Sequence, residues 1–351
     1  MIIVIADDLS GAAELAGAAL RHGLSAEVQT SFFPGTSAEV VCIDTDTRLL
    51  PAAEAARRVA ATARSALAAN PSWIFKKCDS VLRGPVLAEA RAVAEVTGRH
   101  RILLIPANPS RGRTIRDGKY YIAGQPLHAT SFATDPAHPR LTSDVRELLD
   151  EALPGIEVPD INSAADIDLM VAGIDANTLP VGAADFFSAV LAARKQPKPA
   201  APSHPAAGGK TLLVCGSAAT WNGRSAEAKA SGIPTFALPC EPAAVVSAIR
   251  ANECVLIGVG DGPATKNSVA AVLTGQLAQT VAAVVTQTRL ARLLLEGGAT
   301  SAAVIAALGW TRLRAELAAG SGIGVMRPVA LQAPLLFIKP GSYAWPAGVW
   351  P

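Results

Sequence analysis

The sequence predicts an α/β protein built from two α/β domains with mostly parallel sheets and an interdomain cleft. Three observations carry that expectation. Short apolar runs alternate with segments long enough to be helices, and strands separated by such helices imply right-handed crossovers and parallel pairing. The alternation is interrupted at "RKQPKPAAPSHPAAGGK" (194–210), a Pro-, Ala- and Gly-rich run with no apolar period, which reads as a linker. At 351 residues the chain can fill a core on either side of that run. The expected domains are therefore 1–193 and 211–351, joined by the linker 194–210.

The opening stretch, "MIIVIADDLSGAAELAGAALRHG", contains a buried strand over Ile2–Ile5, two aspartates at its carboxyl end, and a helix with Ser10 as N-cap and Gly23 as stop. "AEVVCIDTDTR" reads as a strand leaving into a polar loop, and "PAAEAARRVAATARSALAA" as a helix with Pro51 near its first turn. "WIFKK" is a strand, "CDSVLRG" a loop, "PVLAEARAVAEVTG" a helix and "RILLIPA" another strand. A long polar loop is expected from Asn108 to about Arg140. Beyond the linker, "TLLVCGSAAT", "ECVLIGVG", "SVAAVLTGQLAQTVAAVV", "LARLLLEGGATSAAVIAALG" and "PLLFIKPGS" repeat the strand-and-helix pattern without any close sequence repeat.

Composition excludes several classes. Half of the residues are hydrophobic and 17% charged, as in a folded globular chain rather than a disordered one. The net charge of +2 gives no reason to expect a nucleic acid or an acidic membrane as partner. No uncharged apolar stretch reaches the roughly 18–20 residues of a membrane helix, and acidic residues arrive at position 7, so no secretory leader is read and a cytoplasmic location is expected. Cys42, Cys78, Cys215, Cys240 and Cys254 are scattered and read as buried free thiols. His22 reads as a helix-end residue complementing the dipole, His100 and His204 as strand-flanking and linker residues, and His128 and His138 as structural loop residues.

Four polar clusters fall at expected strand ends of the first domain: "ADDLSGAAE", "DTDTR", "KKCDSVLRG" and "PANPSRGRTIRDGKYY". Lys76, Lys77, Arg83, Arg111 and Arg113 are suited to clamp a carboxylate or phosphate. Asp79 is a candidate general base, while Asp7 and Asp8 are suited to substrate hydroxyls or a hydrated Mg²⁺. In the second domain "VCGSAAT", "LEGGATS" and "IKPGS" are Gly/Ser-rich turns that let backbone N–H groups approach an anion. Neither the Walker loop nor G-x-G-x-x-G is present, and "GVGDGPATKNS" (258–268) reads as a strand exit.

In this order the clusters resemble the four-carbon acid sugar kinase family, which phosphorylates threonate, erythronate and oxo-tetronate-like acids with ATP. "IADDLSGAAE", "DTDTR", "KKCDSVLRGPVLAE", "IPANPSRGRTIRDGKYYIAGQPL" and "FATDPAHP" match its N-terminal, sugar-acid-binding domain; "CGSAAT", "EGGATSAAVIAALG" and "IKPGS" match its nucleotide-binding domain. The resemblance implies sugar-acid contacts at Asp7, Asp8, Asp79 and Arg83, with Lys76 and Arg113 as further candidates. It implies ATP contacts at Ser217, Gly297, Gly298, Ala299, Thr300 and Gly341, with Mg²⁺ as companion. Asp79 is taken as the base and Asp8 as its rival. The chain departs from the family pattern at Ala299, where an acidic residue is usual, at Tyr343-Ala344, where Phe-Gly is usual, and at "GIGVMRP". Domain closure would bring the γ-phosphate to the acceptor. The alternatives are a sugar-acid-binding protein that has lost turnover and a metal-dependent phosphatase using an aspartyl nucleophile; a homo-oligomer is left open.

Overall fold

In the computed structural model, which describes residues 1–135, 137–149, 154–194, 208–260, 267–316, 323–329, 333–339, 345 and 348–350, the opening apolar run is strand β1 (Ile2–Ala6), buried at every position. The chain separates into two compact units, Met1–Ala200 and Ala201–Pro351. In the first unit β1 leads to α1 (Leu9–Arg21), β2 (Ala26–Gln29), β3 (Val40–Asp44), α2 (Ala52–Leu67), β4 (Trp73–Lys77), α3 (Val86–Thr97) and β5 (Arg101–Ile105). Next come β6 (Arg113–Arg116), β7 (Lys119–Ile122), β8 (Gln125–Pro126), α4 (Val145–Leu149), β9 (Ile156–Glu157), α5 (Ala164–Ala172), β10 (Thr178–Gly182) and α6 (Ala184–Arg194). The main sheet of this unit runs β2-β3-β1-β4-β10-β5-β9, with every pair parallel. Parallel strands are covered on both faces, which is why they read as continuous apolar runs. α1 packs against β3 and α6, while α2 and α3 pack on each other.

Three readings of this region change. The cap of α1 is Asp8, whose carboxylate accepts the Gly11 N–H at 2.8 Å, whereas Ser10 already lies inside the helix. His22 follows α1, but burial and then the neighbouring Arg21 charge hold its pKa below the usual imidazole value, so it is a weak partner for the dipole. The stretch expected as a loop from Asn108 to Arg140 holds a second, antiparallel sheet, β6-β7-β8. Asp117-Gly118 closes its first hairpin with both residues at positive φ (49° and 68°), the geometry that an Asp-Gly pair favours between strands. Tyr120 anchors that sheet and is fully buried. Alternating charged residues in "RTIRDGKYYI" masked the strand pattern.

The second unit holds β11 (Thr211–Cys215), α7 (Ala218–Ala230), β12 (Thr235–Ala237), α8 (Pro242–Ala251), β13 (Cys254–Gly258) and α9 (Asn267–Gln287). It continues with β14 (Arg292–Glu296), α10 (Gly298–Ala307), β15 (Arg312–Glu316), β16 (Gly324–Pro328) and β17 (Leu335–Lys339). Its strands run β12-β13-β11-β14-β17-β16-β15, parallel except where β16 opposes β15 and β17. Both units therefore place their first strand inside the sheet, in the order β2-β3-β1-β4 and β12-β13-β11-β14. In each, the chain winds to one side of the first strand and then returns to the other. That reversal makes a crevice at the carboxyl ends of the strands, where open α/β sheets bind ligands. Cys42, Cys78 and Cys215 are buried free thiols, and burial pushes the Cys78 thiol up to about 12. Among the described residues no helix is long and apolar enough to cross a membrane.

Candidate functional site

β1 lies between β3 and β4, so its carboxyl end is the reversal point of the first unit. Asp7 and Asp8 follow β1, Arg48 lies in the loop after β3, and Asp79, Ser80 and Arg83 lie in the loop after β4. Arg48 joins these loops. Its Nε donates to Asp7 Oδ2 at 2.7 Å and its Nη1 to Asp8 Oδ2 at 2.8 Å, while Nη2 sits 3.8 Å from Asp79 Oδ1. Arg83 grips Asp79 with both prongs, Nε to Oδ2 and Nη2 to Oδ1, each at 2.9 Å, and its Nη1 reaches Asp135 Oδ2 at 2.9 Å. Such bidentate, charge-assisted pairs are the strong class of hydrogen bond. Arg113 donates to the Ser80 hydroxyl, and the Arg83 and Arg113 guanidiniums lie 5.4 and 5.6 Å from the centre of the Phe132 ring.

The backbone is arranged to allow this. Leu82 adopts φ +62°, a left-handed conformation that costs a leucine roughly 1–2 kcal/mol. The turn it makes returns the Arg83 N–H to Asp79 Oδ2 at 3.1 Å. Gly84, at φ +81°, has no room for a side chain: a Cβ would stand 2.8 Å from the Arg48 carbonyl oxygen. The loops after β3 and β4 are thus pressed together.

Burial favours the neutral form of Asp7, but Arg48, Lys76 and Lys77 outweigh it and hold the carboxyl below its usual range. Asp79 is likewise buried, and Arg83, Arg48 and Lys77 hold it well below the carboxylate range. Arg48, despite burial, is kept charged by Asp7, Asp8 and Asp79. Among the described residues Asp7 Oδ1 is buried with no hydrogen-bond partner. Buried carboxylate oxygens are nearly always paired, so this atom calls for a donor such as a hydroxyl or a cation-bound water.

The two lysines of β4 point to opposite faces, as successive strand residues must. Lys77 faces α1, where its Nζ lies 4.0 Å from Glu14 Oε2. Lys76 faces α3 and is only 1% exposed, its Nζ 2.7 Å from Glu89 Oε2 and 2.6 Å from the Lys77 carbonyl. Of the expected residues, Asp7, Asp8, Asp79 and Arg83 come together, with Arg113 attached through Ser80. Lys76 influences Asp7 through its charge but is held beneath the cluster by Glu89.

Two residues of the quoted "DTDTR" were not singled out, Asp44 and Arg48. Arg48 was legible as the cation closing that cluster, but only the fold shows that it spans three loops. Asp44 ends β3 and is 5% exposed. Burial, with Asp8, Asp46 and Asp7 nearby, pushes its carboxyl up to about 8 although the Asp46 N–H opposes this. Folded Asp44 therefore retains a proton that the unfolded chain has lost, so stability falls as pH rises from about 4 to about 8. Asp44→Asn is expected to flatten that slope, read as urea midpoints between about pH 5 and 8; an unchanged slope would refute it.

In the second unit the reversal point lies between β11 and β14. Ser217 caps α7 and Gly297 caps α10, neither through a side-chain hydrogen bond, so both helix N-termini keep N–H groups for an anion. Gly216 brings the turns together: a Cβ there would lie 1.7 Å from Thr300 Oγ1. Gly216→Ala is expected to cost about 1–3 kcal/mol through overpacking, measured by urea denaturation; a loss below the error of that measurement would refute the contact. Gly297 donates its N–H to the Lys339 carbonyl at 2.9 Å. Gly297, Gly298, Ala299 and Thr300 thus form one turn beside Ser217, whereas Gly341 lies outside the described residues.

Sequence reasoning passed over Glu296, the residue before these glycines. It is buried, with Arg224 Nε at 3.0 Å, Lys339 Nζ at 3.2 Å and the Trp345 indole N–H at 3.1 Å. Arg224 and Lys339 neutralise a carboxylate that would otherwise oppose anion binding at the turn, and the indole adds a hydrogen bond. Burial lowers the Lys339 pKa, and Glu296 only partly restores it.

The model of the sugar-binding N-terminal domain matches residues 2–186, just over half of the chain. A D-threonate kinase of Salmonella typhimurium LT2 is 35% identical over 162 residues, 45% of this chain and 38% of that protein. This chain belongs to the four-carbon acid sugar kinase family. A D-erythronate kinase of Heliobacterium modesticaldum is 31% identical over 254 residues, 62% of this chain and 57% of that protein. A 3-oxo-tetronate kinase of Cupriavidus necator H16 is 27% identical over 413 aligned positions, 97% of this chain and 94% of that one. The matches to the threonate and erythronate kinases thus span between 38% and 57% of those proteins' lengths. The Haemophilus influenzae protein HI1011 shares the family's fold, with a TM-score of 0.73 at 18% identity over 97% of each chain. A Bordetella bronchiseptica protein with bound citrate, a domain-swapped dimer, aligns with a TM-score of 0.50 at 25% identity over 98% of this chain and 94% of that one.

Proposed function

We propose that this protein is an ATP-dependent kinase that phosphorylates a hydroxyl of a small sugar acid such as threonate, erythronate or 3-oxo-tetronate. The observation that carries the reading is the cluster at the β1 reversal point, where three aspartates and two arginines meet around a buried, unpartnered Asp7 oxygen. Arg48 and Arg83, shared among Asp7, Asp8, Asp79 and Asp135, offset the repulsion that those carboxylates would exert on the acid's carboxylate, with Arg113 beside them as a further guanidinium. Asp7 Oδ1 accepts a donor, either a substrate hydroxyl or a water of a hydrated cation.

The second unit suits a triphosphate. The N-termini of α7 and α10 converge through Gly216, and Ser217 with Gly297–Thr300 lines that convergence; Gly341 is proposed as a further contact. Among the described residues no group of three His, Cys, Asp or Glu side chains is placed to hold a metal. Mg²⁺ would therefore be carried mainly by phosphate oxygens and water, with Asp7, whose Oδ1 accepts a donor, as its protein partner. When bound, it neutralises charge on the transferring phosphoryl group. The acceptor hydroxyl must lose its proton to a carboxylate. Both carboxylates are hydrogen-bonded, but Asp79 is chelated on both oxygens by Arg83 and held well below the carboxylate range. Asp8 shares one oxygen with the Gly11 N–H and one with Arg48 and is the more exposed of the two. Asp8 is therefore assigned the base role and Asp79 the positioning of Arg83.

Citrate, itself a hydroxy acid, is bound in the Bordetella bronchiseptica relative, which is consistent with this substrate class; its dimer makes self-association worth testing here. The domains are assigned as sugar-acid-binding for 1–193 and nucleotide-binding for 211–351, and the location as cytoplasmic. The deciding experiment is a screen of threonate, erythronate and 3-oxo-tetronate for acid-dependent ADP release from Mg·ATP. Release with one acid supports the reading. No release, together with no heat of Mg·ATP binding at saturating acid, overturns it in favour of a binding protein.

A further inference from the structure

The amino ends of β11, β14 and β17 carry a feature that phosphoryl transfer leaves unused. A cleft of about 530 Å³ opens there, lined by Lys210, Arg289, Arg292 and Arg327 around a floor that includes Leu290 and Leu335. Arg292 and Glu296 are the two ends of β14, so the cleft and the glycine turns stand about 13 Å apart by strand rise. It is a separate place on the same sheet.

The cations are incompletely neutralised. Arg292 spends its Nε on the Thr211 hydroxyl at 3.0 Å. Arg327 spends its Nε on Glu316 Oε1 at 2.8 Å. Lys210 is tethered to the Asn252 and Arg250 carbonyls at 3.1 and 3.2 Å, with the exposed Glu253 carboxylate 3.5 Å away. Exposed Arg289 adds a further guanidinium. Among the described residues two carboxylates, Glu253 and Glu316, thus stand against four cations. Arg314 lies directly across from Arg327 in the β15–β16 ladder, and like charges in such a pair cost stability. Positive charge gathered against its own repulsion, above an apolar floor, is the arrangement that recognises an anion carried on a carbon skeleton.

We propose that this cleft is a second anion site, which binds a small organic polyanion bearing phosphate or carboxylate groups. The guanidinium forks of Arg289, Arg292 and Arg327 take the anionic groups, and Leu290 and Leu335 take the skeleton. The site does not depend on the kinase reading, because none of its residues belongs to either strand-end cluster.

The test is titration calorimetry of the full chain with two probes, inorganic pyrophosphate and tricarballylate, one for each source of negative charge. Three variants are compared with the native chain: the pair Arg289→Gln/Arg327→Gln, which alters exposed residues; Ala333→Glu, which puts a carboxylate into the cleft wall; and Gly298→Asp, which repels anions from the glycine turn alone. The expected result is that at least one probe binds the native chain and Gly298→Asp alike, and binds at least tenfold more weakly to the arginine pair variant and to Ala333→Glu. The tighter probe identifies the source. The proposal is overturned if both probes bind the arginine pair variant within twofold of the native chain, or if Gly298→Asp abolishes all binding. Failure of the nucleotide reading looks different, since Gly298→Asp would then leave Mg·ATP binding unaffected.

Discussion

Glu89→Ala is expected to destabilise the first unit by about 3–5 kcal/mol, the cost of stranding a buried charge. Lys76 and Glu89 are each 1% exposed and 2.7 Å apart, so removing the carboxylate leaves an ammonium whose remaining hydrogen-bond partner, among the described residues, is the neutral Lys77 carbonyl at 2.6 Å. Glu89 sits in the first turn of α3, and α3 covers the face of β4 to which Lys76 points. Replacing both partners removes the desolvation cost along with the attraction, so Lys76→Met/Glu89→Leu is expected to recover most of the loss. Urea denaturation followed by circular dichroism measures this; a Glu89→Ala loss below about 1 kcal/mol would show that water reaches the pair. The double variant also decides a functional point. Lys76 is a sequence candidate for the sugar acid, and the fold gives it a structural partner instead. Sugar-acid affinity in the double variant should stay close to that of the native chain, and a tenfold loss would return Lys76 to the binding set.

The difference between Lys76 and Lys77 shows what sequence can and cannot disclose. Strand period alone requires the two side chains to point opposite ways, but which of them faces the aspartates depends on which helix covers which face. The strand ends were legible because parallel strands are apolar throughout and polar residues begin where they stop: Asp7, Asp79, Ser217 and Gly297 all follow such a run. The bridging role of Arg48 was hidden because its partners Asp7, Asp8 and Asp79 lie 31 or more residues from it along the chain and are brought together by the pairing of β1 with β3 and β4. Glu296 was hidden for a similar reason, since its neutralising partners Arg224, Lys339 and Trp345 come from three distant segments. The hairpin of β6 and β7 had a local signal, Asp117-Gly118, that outweighs the polar composition around it. β15 was missed because charged residues alternate with the apolar ones that face inward, "RLRAE", and β16 because its short run is bounded by Gly324 and Pro328, "GVMRP".

Asp8→Asn is expected to lower kcat for sugar-acid phosphorylation by about 10²–10⁴-fold, the range that a positioned general base contributes. Asparagine preserves the size of the side chain and can still accept the Gly11 N–H that caps α1, so the fold should persist while the basic oxygen is lost. Mg·ATP affinity should change little, because the proposed phosphate contacts belong to the second unit. Asp79→Asn should act differently. Its carboxylate neutralises Arg83 on both prongs, so its loss releases the Nε and Nη2 edge of Arg83, which is left tethered through Nη1 to Asp135, while Arg48 stays held by Asp7 and Asp8. The expected signature is a raised KM for the sugar acid with a smaller fall in kcat, partly restored by Asp79→Glu. The pH profile separates the roles: removal of a base alters the acidic limb of kcat, whereas removal of a positioning group leaves that limb in place. The assignment reverses if Asp79→Asn abolishes the acidic limb at unchanged KM while Asp8→Asn keeps it. Asp79 would then be the base, and the grip of Arg83 seen here would have to open before each turnover.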